Sequence, residues 1–384
     1  MDVTRGTHGG GAHAVRFAEF GGPEVLRVEE VPVPGPGPGE VLVEVFAAGL
    51  NPADSAARRG EHGAEPPVET PAVQGTDLAG VVIATGPGVA RFARGDEVMG
   101  FVARGAQASH VVVPESQLMP KPSGLSWEVA GSLHVAGTTG WNAVERLSLG
   151  PNDTIVVTAA AGGVGCLAAQ FARLRGATVI GTTTAERFDF LRQFGVIPTG
   201  YGPGLAERAR AIVEATEHAR PVSAFLDFLG GETAAALELG VPRSRILTVL
   251  DRAAVERQDA VAAVAGDVVA LGRVAALVSA RRVRLPIADV FPLEEVAEAY
   301  RALDRRDAPG KIVLGMRVVE YPGQRVREPA IKEQDVTLGV PTPHEHLDVT
   351  EAVPPAIGDG SVRRRRRERR AEEAAVAEAE ARRG

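Results

Sequence analysis

The chain has 384 residues, of which 45% are hydrophobic and 24% charged, with a formal net charge of −7. This composition is that of a globular protein with room for two domains, and it excludes a uniformly basic surface for nucleic acid. The single cysteine, Cys166, excludes an internal disulfide and a four-cysteine zinc lobe. No apolar run reaches transmembrane length and no signal-peptide core opens the chain, so we expect a cytoplasmic protein without a membrane segment.

The first part of the chain has the pattern of a β domain. A flexible leader is predicted at residues 1–12. Proline and glycine alternate over residues 32–40, which can only form a connection. Short apolar runs separated by turn residues predict closely spaced strands. These strands are predicted at residues 14–17, 20–28 (after a turn), 41–48, 80–85 and 110–113.

From residue 128 onward the pattern changes to alternating helices and strands. Helices are predicted at residues 129–136 and 138–147, with a break at Gly137. The alternation that follows indicates a right-handed parallel sheet. Its strands are predicted at residues 154–158, 178–182, 223–227 and 245–250. Further helices are predicted at residues 259–280 and 291–300, and a last strand at 311–314.

The stretch at residues 154–165 carries the clearest functional motif. A β-branched strand leads into Ala160-x-Gly162-x-x-Gly165, which opens a helix. Small residues in this context allow a tight turn and a close approach of the backbone to a pyrophosphate at the helix N-terminus. The pattern predicts dinucleotide binding, although a strand–turn–helix without a ligand would fit the same residues.

The end of the next predicted strand indicates which dinucleotide is bound. It reads Thr182-Thr183-Thr184, without the carboxylate that takes the ribose hydroxyls of NAD, and Arg187 follows shortly after. An arginine here can pair with a 2′-phosphate, which favours NADPH over NADH. The alternative is that Arg187 is only an exposed residue of the next helix.

The last part of the chain, residues 321–384, is proline-containing and then rich in arginine. We predict a disordered, low-complexity tail. An arginine run at residues 363–367 lacks interleaved aromatic residues, so nucleic-acid binding is not favoured. His344-Glu345-His346 resembles the first-strand motif of phosphotriesterase-like amidohydrolases, but no residues follow that would complete such a site.

Six motifs together resemble the zinc-independent quinone oxidoreductases of the medium-chain dehydrogenase/reductase superfamily. They are AAGLNPAD (residues 47–54), GTDLAG (75–80), GDEV (95–98), GTTGW (137–141), AAAGGVG (159–165) and GKIVL (310–314). The resemblance implies an α/β fold with a GroES-like β domain over residues 13–136, completed by residues 290–320. A Rossmann doubly wound parallel-sheet domain that binds NADP is implied over residues 137–289.

The resemblance also bears on metal use. Zinc-dependent relatives place cysteine where Asn51 stands, and histidine and glutamate where Thr76 and Asp77 stand. Asn51 and Thr76 are poor zinc ligands. The resemblance therefore implies no metal.

The resemblance places residues around a nicotinamide cofactor. Asn51 would lie beside the nicotinamide and the substrate. His134 stands where relatives often carry proline, and it is either a catalytic proton donor or a packing residue. The implied cofactor-binding residues are Thr138, Ala161, Gly162, Gly163, Val164, Gly165, Thr182, Thr183, Arg187, Tyr201, Leu250 and Lys311.

The predicted function is NADPH-dependent, metal-independent hydride transfer to a quinone or to the activated C=C of an α,β-unsaturated carbonyl. One alternative is an enoyl reductase acting on a biosynthetic acyl thioester or polyketide intermediate. Another is a low-turnover NADPH-binding regulator or nucleic-acid-binding protein, which the arginine run suggests. The resemblance further implies a homodimer formed through edge strands of the Rossmann sheets.

Overall fold

The computed structural model describes residues 11–61, 68–306 and 308–316. The first ten residues of the predicted leader, the predicted tail and the His344–His346 motif lie outside the described residues. Within these ranges, no helix is both long and apolar enough to cross a membrane.

The first part of the chain supplies strands to two mainly antiparallel sheets. One sheet has the strand order β2-β1-β4; the other contains the run β3-β5-β6-β8, and β7 also pairs with β3. Their bounds are β1 (Ala12–Phe17), β2 (Arg27–Val31), β3 (Glu40–Gly49), β4 (Ala72–Val73), β5 (Asp77–Thr85), β6 (Glu97–Phe101), β7 (His110–Pro114) and β8 (Leu118–Pro120). One α-helix, α1 (Pro52–Arg58), follows β3. The predicted β character of this part is confirmed.

The middle of the chain forms a six-stranded parallel sheet in the order β11-β10-β9-β12-β13-β14. Its strands are β9 (Thr154–Val157), β10 (Thr178–Thr182), β11 (Ile197–Thr199), β12 (Val222–Asp227), β13 (Ile246–Thr248) and β14 (Val261–Ala262). Counted from β9, this is the order 3-2-1-4-5-6 of a Rossmann sheet, which confirms the predicted fold class.

The α-helices that follow α1 either cover this parallel sheet or pack on the elements of the other sheets. They are α2 (Trp127–Ala130), α3 (Leu133–Arg146), α4 (Gly163–Leu174), α5 (Phe188–Arg192), α6 (Leu205–Ala215), α7 (Thr233–Glu238), α8 (Arg252–Glu256), α9 (Val268–Ser279) and α10 (Val296–Asp304). Two of them, α4 and α9, pack on α3.

The chain then returns to the sheet that contains β3. Strand β16 (Lys311–Gly315) pairs antiparallel with β3, with Val313 opposite Gly49, and parallel with β15 (Ile287–Pro292) on its other side. The seven-stranded sheet is therefore built from both ends of the described chain. The exact domain boundaries stay a prediction.

The predicted helix break at Gly137 is wrong. Helix α3 passes through Gly137 without interruption, and the break lies earlier, at Gly131 and Ser132. A Cβ on Gly137 would lie 2.7 Å from Cγ1 of Val274 in α9. The glycine serves close packing of α3 against α9, which depends on a partner far along the chain.

Two predicted helices begin too early. Residues 259–280 form strand β14 and then helix α9, which begins after Asp267; its carboxylate accepts hydrogen bonds from the backbone N–H groups of Val269 and Ala270. Phe291 belongs to β15, and α10 begins only at Val296. Both errors concern short strands that precede a helix, and periodicity does not distinguish a short apolar run in a strand from one in a helix.

One buried arginine joins α1 to α10. The side chain of Arg58 is 0% exposed and lies over the ring of Tyr300, with its guanidinium carbon 4.7 Å from the ring centroid. Its Nε donates to the carbonyl of Gly21 at 3.2 Å, and Nη2 lies 3.4 Å from the carboxylate of Asp304.

We expect Arg58→Ala to lower the free energy of unfolding by about 3 kcal/mol, because it leaves a cavity and removes the buried one of the two arginine partners of Asp304. The measurement is the urea midpoint at unchanged slope. The control is Arg59→Ala, because that neighbouring side chain is 38% exposed and its removal should cost less than about 1 kcal/mol. Equal losses in the two variants would contradict this expectation.

Candidate active site

The glycine motif forms the turn between β9 and α4. Ala159 adopts a positive φ of 48°, and α4 begins at Gly163 with Gly162 as its N-cap. No side chain caps this helix end, so its first backbone N–H groups lack the hydrogen bond that a capping side chain would supply. A Cβ on Gly165 would lie 2.3 Å from the carbonyl oxygen of Ala159. This turn fits a phosphate group, because it combines small residues with an uncapped helix N-terminus.

The other predicted cofactor-binding residues of this domain follow the carboxyl ends of neighbouring parallel strands. Thr182 ends β10, and its hydroxyl accepts from the N–H of Ala159 at 3.2 Å. Thr183 is buried, and Arg187 is half-buried in the following turn. Tyr201 and Leu250 come two residues after β11 and β13, and they are 49% and 43% exposed. Ligands bind at this edge in open parallel sheets.

The start of strand β16 connects the glycine turn to the sheet that contains β3. The N–H of Gly310 donates to the carbonyl of Ala161 at 2.9 Å, and Gly310 forms a parallel bridge with Gly162. A Cβ on Gly163 would lie 2.7 Å from Cδ of Lys311, so the lysine stem packs directly on the turn. The lysine ammonium then reaches Asn51, where Nζ donates to Oδ1 at 2.5 Å. The structure thus brings together Lys311, Asn51 and the glycine motif.

Asn51 is held at the start of α1. Its backbone N–H donates to Oδ2 of Asp54 at 2.9 Å, while its side-chain Nδ2 is buried without a hydrogen-bond partner. Asp54 also accepts from the hydroxyl of Thr76 at 3.2 Å. Burial raises the pKa of Asp54 to about 7, and the nearby carboxylate of Asp77 adds to this effect.

His134 lies on α3 beside Asp77. Its Nε2 is 2.8 Å from the carbonyl of Gly266, and because a carbonyl only accepts, Nε2 carries a proton. Nδ1 has no hydrogen-bond partner but lies 3.4 Å from Oδ1 of Asp77. The ring stacks on Phe101 with centroids 3.8 Å apart. Both nitrogens face protein atoms, which favours the packing role, and proton donation by His134 stays a prediction.

Thr138 lies one helical turn beyond His134. Its hydroxyl donates to the carbonyl of His134 at 2.6 Å and accepts from the N–H of Gly266 at 2.8 Å. The side chain is 0% exposed. Thr138 therefore fixes the loop before α9 against α3, and its predicted contact with the cofactor stays a prediction.

Asp227, at the end of β12, is a structural residue of this edge that sequence reasoning missed. Its Oδ1 accepts from the hydroxyl of Thr158 at 2.8 Å and from the N–H of Gly230 at 2.8 Å. It shapes the loop beside the glycine turn. An Asp at the end of an apolar strand, with Gly230-Gly231 beginning three residues later, was the available signal for such a turn.

The described residues offer no evident nucleophile or metal cluster. Cys166 is buried, which raises the pKa of its thiol to about 12. Within the described ranges, no group of three or more His, Cys, Asp or Glu side chains could hold a metal ion. Metal independence stays a prediction.

Family models match both parts of the chain. An "Alcohol dehydrogenase GroES-like domain" matches residues 37–123, and a "Zinc-binding dehydrogenase" domain matches residues 205–314. A GroES-like domain joined to a Rossmann sheet defines the class of medium-chain dehydrogenases/reductases.

Similar proteins narrow this class. The quinone oxidoreductase of Rattus norvegicus is 34% identical over 176 residues, which cover 45% of this chain and 53% of that protein, so the chain spans about half the length of this relative. The synaptic vesicle membrane protein VAT-1 homolog of Rattus norvegicus is 30% identical over 338 residues, covering 77% of this chain and 82% of that relative.

A solved structure agrees with these relatives. The Escherichia coli quinone oxidoreductase complexed with NADPH is 25% identical, with a TM-score of 0.70, and the match covers 79% of this chain and 99% of that one. The chain belongs to the quinone oxidoreductase-like family of the medium-chain dehydrogenase/reductase superfamily.

Proposed function

We propose that this chain is an NADPH-dependent, metal-independent reductase that transfers a hydride to a quinone or to the activated C=C of an α,β-unsaturated carbonyl. The observation that carries the proposal is the contact of Lys311 with both Gly163 of the glycine turn and Asn51. The predicted phosphate site and the predicted reaction site therefore adjoin one another.

The residues present fit a dinucleotide. The backbone of residues 161–165 would hold the pyrophosphate, because the turn contains three glycines and the N-terminus of α4 is uncapped. Thr182, Thr183, Arg187 and Tyr201 would bracket the adenosine end, while Asn51 and Thr138 would lie toward the nicotinamide. The bound cofactor would supply the hydride, and the protein would supply position and electrostatics.

The surroundings of Asn51 and Thr76 support metal independence. The amide oxygen of Asn51 accepts from an ammonium, and the hydroxyl of Thr76 donates to Asp54. A lysine cation therefore occupies the side of Asn51 that a metal ion would need, and neither residue type is a good zinc ligand.

The test is oxidation of NADPH, followed by the loss of reduced-nicotinamide absorbance, with a quinone and with an enone, each with and without a chelator. Chelator-insensitive turnover with the quinone supports the proposal. Turnover with the enone alone favours the enoyl-reductase alternative. Turnover that stops on chelation contradicts metal independence.

Arg187 should set the choice of cofactor. We expect Arg187→Glu to raise the KM for NADPH at least about tenfold, because a carboxylate would repel the 2′-phosphate that arginine attracts, while the KM for NADH should change less than about twofold. Steady-state kinetics with both cofactors measure this. Arg192→Glu is the matched control, because it makes the same charge change on an exposed side chain five residues away. Equal effects on NADPH and NADH would contradict the assignment.

A homodimer stays a prediction from the family resemblance. Strand β14 is one of the two outer strands of the parallel sheet, and within the part of the chain that the structure describes it pairs only with β13. Val264 and Val269 beyond it are 64% and 59% exposed. These apolar side chains beside an open edge are compatible with association of two such sheets.

A further inference from the structure

The ammonium of Lys311 is buried beside three oxygen-bearing groups. Its side chain is 5% exposed, and Nζ donates to the carbonyl of Leu50 and to Oδ1 of Asn51, both at 2.5 Å. The carboxylate of Asp77 lies 4.0 Å away. An ammonium has three N–H donors and no acceptor. The amide oxygen of Asn51 must therefore face Lys311, which fixes the orientation of the carboxamide.

This orientation leaves one group of Asn51 unused. The backbone N–H is bonded to Asp54 and the amide oxygen to Lys311, while Nδ2 is buried without a partner. Buried polar groups almost always have partners, so an orphaned donor indicates a missing acceptor. A carbonyl oxygen can accept such a hydrogen bond, and a nicotinamide carboxamide and a quinone or enone each carry one.

We propose that Lys311 is a positioning residue, which holds the Asn51 carboxamide so that its Nδ2 donates a hydrogen bond to a carbonyl oxygen of the bound nicotinamide or acceptor. This inference rests on the proposed function. Lys311 acts through Asn51 and touches neither reacting group.

The location of Lys311 supports this role over simple packing. Its stem lies on Gly163, so the same side chain contacts the turn that would hold the pyrophosphate and the amide that would hold the reacting end. Burial lowers the pKa of Lys311, and the carboxylates of Asp77 and Asp54 oppose this change. If Lys311 served only to fill space, an apolar side chain could take its place. No buried charge with carboxylates beside it would then be needed.

The test compares Lys311→Met, Asn51→Ala and their double variant. We expect Lys311→Met to lower kcat/KM roughly thirtyfold, about the loss of one hydrogen bond to the reacting groups. In the Asn51→Ala background the same change should cost less than about twofold, because Lys311 then has no amide to orient. Equal losses in both backgrounds, or no loss, would overturn the inference. Lys121→Met is the control, since Lys121 is equally buried but lies over Trp127 and pairs with Glu97.

A second variant covers the case in which Lys311→Met does not fold. Asn51→Asp keeps an oxygen toward Lys311 and replaces Nδ2 with another oxygen. We expect a folded protein whose kcat/KM falls as far as that of Asn51→Ala. Activity close to the wild-type level would overturn the inference, because Nδ2 would then have no role.

Binding measurements separate this inference from the proposed function and locate the acceptor. Calorimetry would compare NADPH with 2′-phospho-ADP-ribose, which lacks nicotinamide. If Nδ2 bonds to the nicotinamide, Lys311→Met weakens NADPH binding alone; if it bonds to the acceptor, only kinetics with the acceptor change. A wild-type protein without any turnover would contradict the proposed function. In that case the inference would be supported if Lys311→Met weakened the binding of NADPH but not of 2′-phospho-ADP-ribose. It would be overturned if the affinity for NADPH did not change selectively.

Discussion

Replacement of Gly165 by alanine should lower the free energy of unfolding by about 2 kcal/mol and raise the dissociation constant for NADPH at least about tenfold. The added Cβ would lie 2.3 Å from the carbonyl oxygen of Ala159 and 2.9 Å from Cα of Ala160, and neither backbone atom can move without opening the turn. Helix propensity acts in the opposite direction, but it favours alanine by only about 1 kcal/mol. The steric effect should therefore prevail. Urea unfolding and calorimetric titration with NADPH measure the two quantities.

Gly272→Ala is the matched control. Gly272 lies inside α9, and its added Cβ would meet no atom within 4 Å. Propensity alone should then act, which stabilises the protein by up to about 1 kcal/mol and leaves NADPH binding unchanged. If Gly165→Ala behaved like this control, the close approach at the turn would not constrain the site.

Asp54 should make the protein less stable as the pH rises from about 4 to 7. The folded state holds the Asp54 proton up to a pKa of about 7, against an ordinary value of 3.8, because burial and the charge of Asp77 disfavour the carboxylate. Between these values the unfolded chain has lost the proton that the folded chain keeps, so stability falls with pH and then levels off. The difference corresponds to at most roughly 4 kcal/mol.

Asn at position 54 should remove this pH dependence. We expect Asp54→Asn to lose less stability than the wild type between pH 4 and pH 8, measured as urea midpoints across that range. Asp189→Asn should keep the wild-type profile, because that side chain is 89% exposed. Parallel profiles for the wild type and Asp54→Asn would show that the buried carboxyl group does not titrate as its environment implies.

The sequence predicted the elements whose signal is local. The strand–turn–helix at the glycine motif and the parallel strands after it follow from apolar periodicity and small residues within a few positions, and the structure places them there. Gly137 shows where local reasoning stops. Its role depends on Val274 of another helix, and a glycine inside an apolar pattern does not tell a break from a close contact.

The sequence suggests candidate site residues but does not show how they are arranged. Asn51, Lys311 and the glycine motif came from separate short patterns, and their mutual contacts were not readable from the sequence. The direction of the Asn51 amide depends on a lysine 260 positions away. The raised pKa of Asp54 depends on burial and on Asp77, which are products of the folded chain.

The pairing of β16 with β3 has a consequence for how the protein folds during its synthesis. The hydrogen bond from Lys311 to Leu50 joins residues 261 positions apart, and β16 supplies a strand to the sheet that β3 begins. During synthesis, Ala47–Gly49 of β3 cannot pair with β16 until almost the whole described chain has left the ribosome. Long-range pairing of this kind slows folding and leaves edges open to aggregation. A chain that terminates before residue 311 would lack both the sheet edge and the cation beside Asn51, so incomplete products would be inactive.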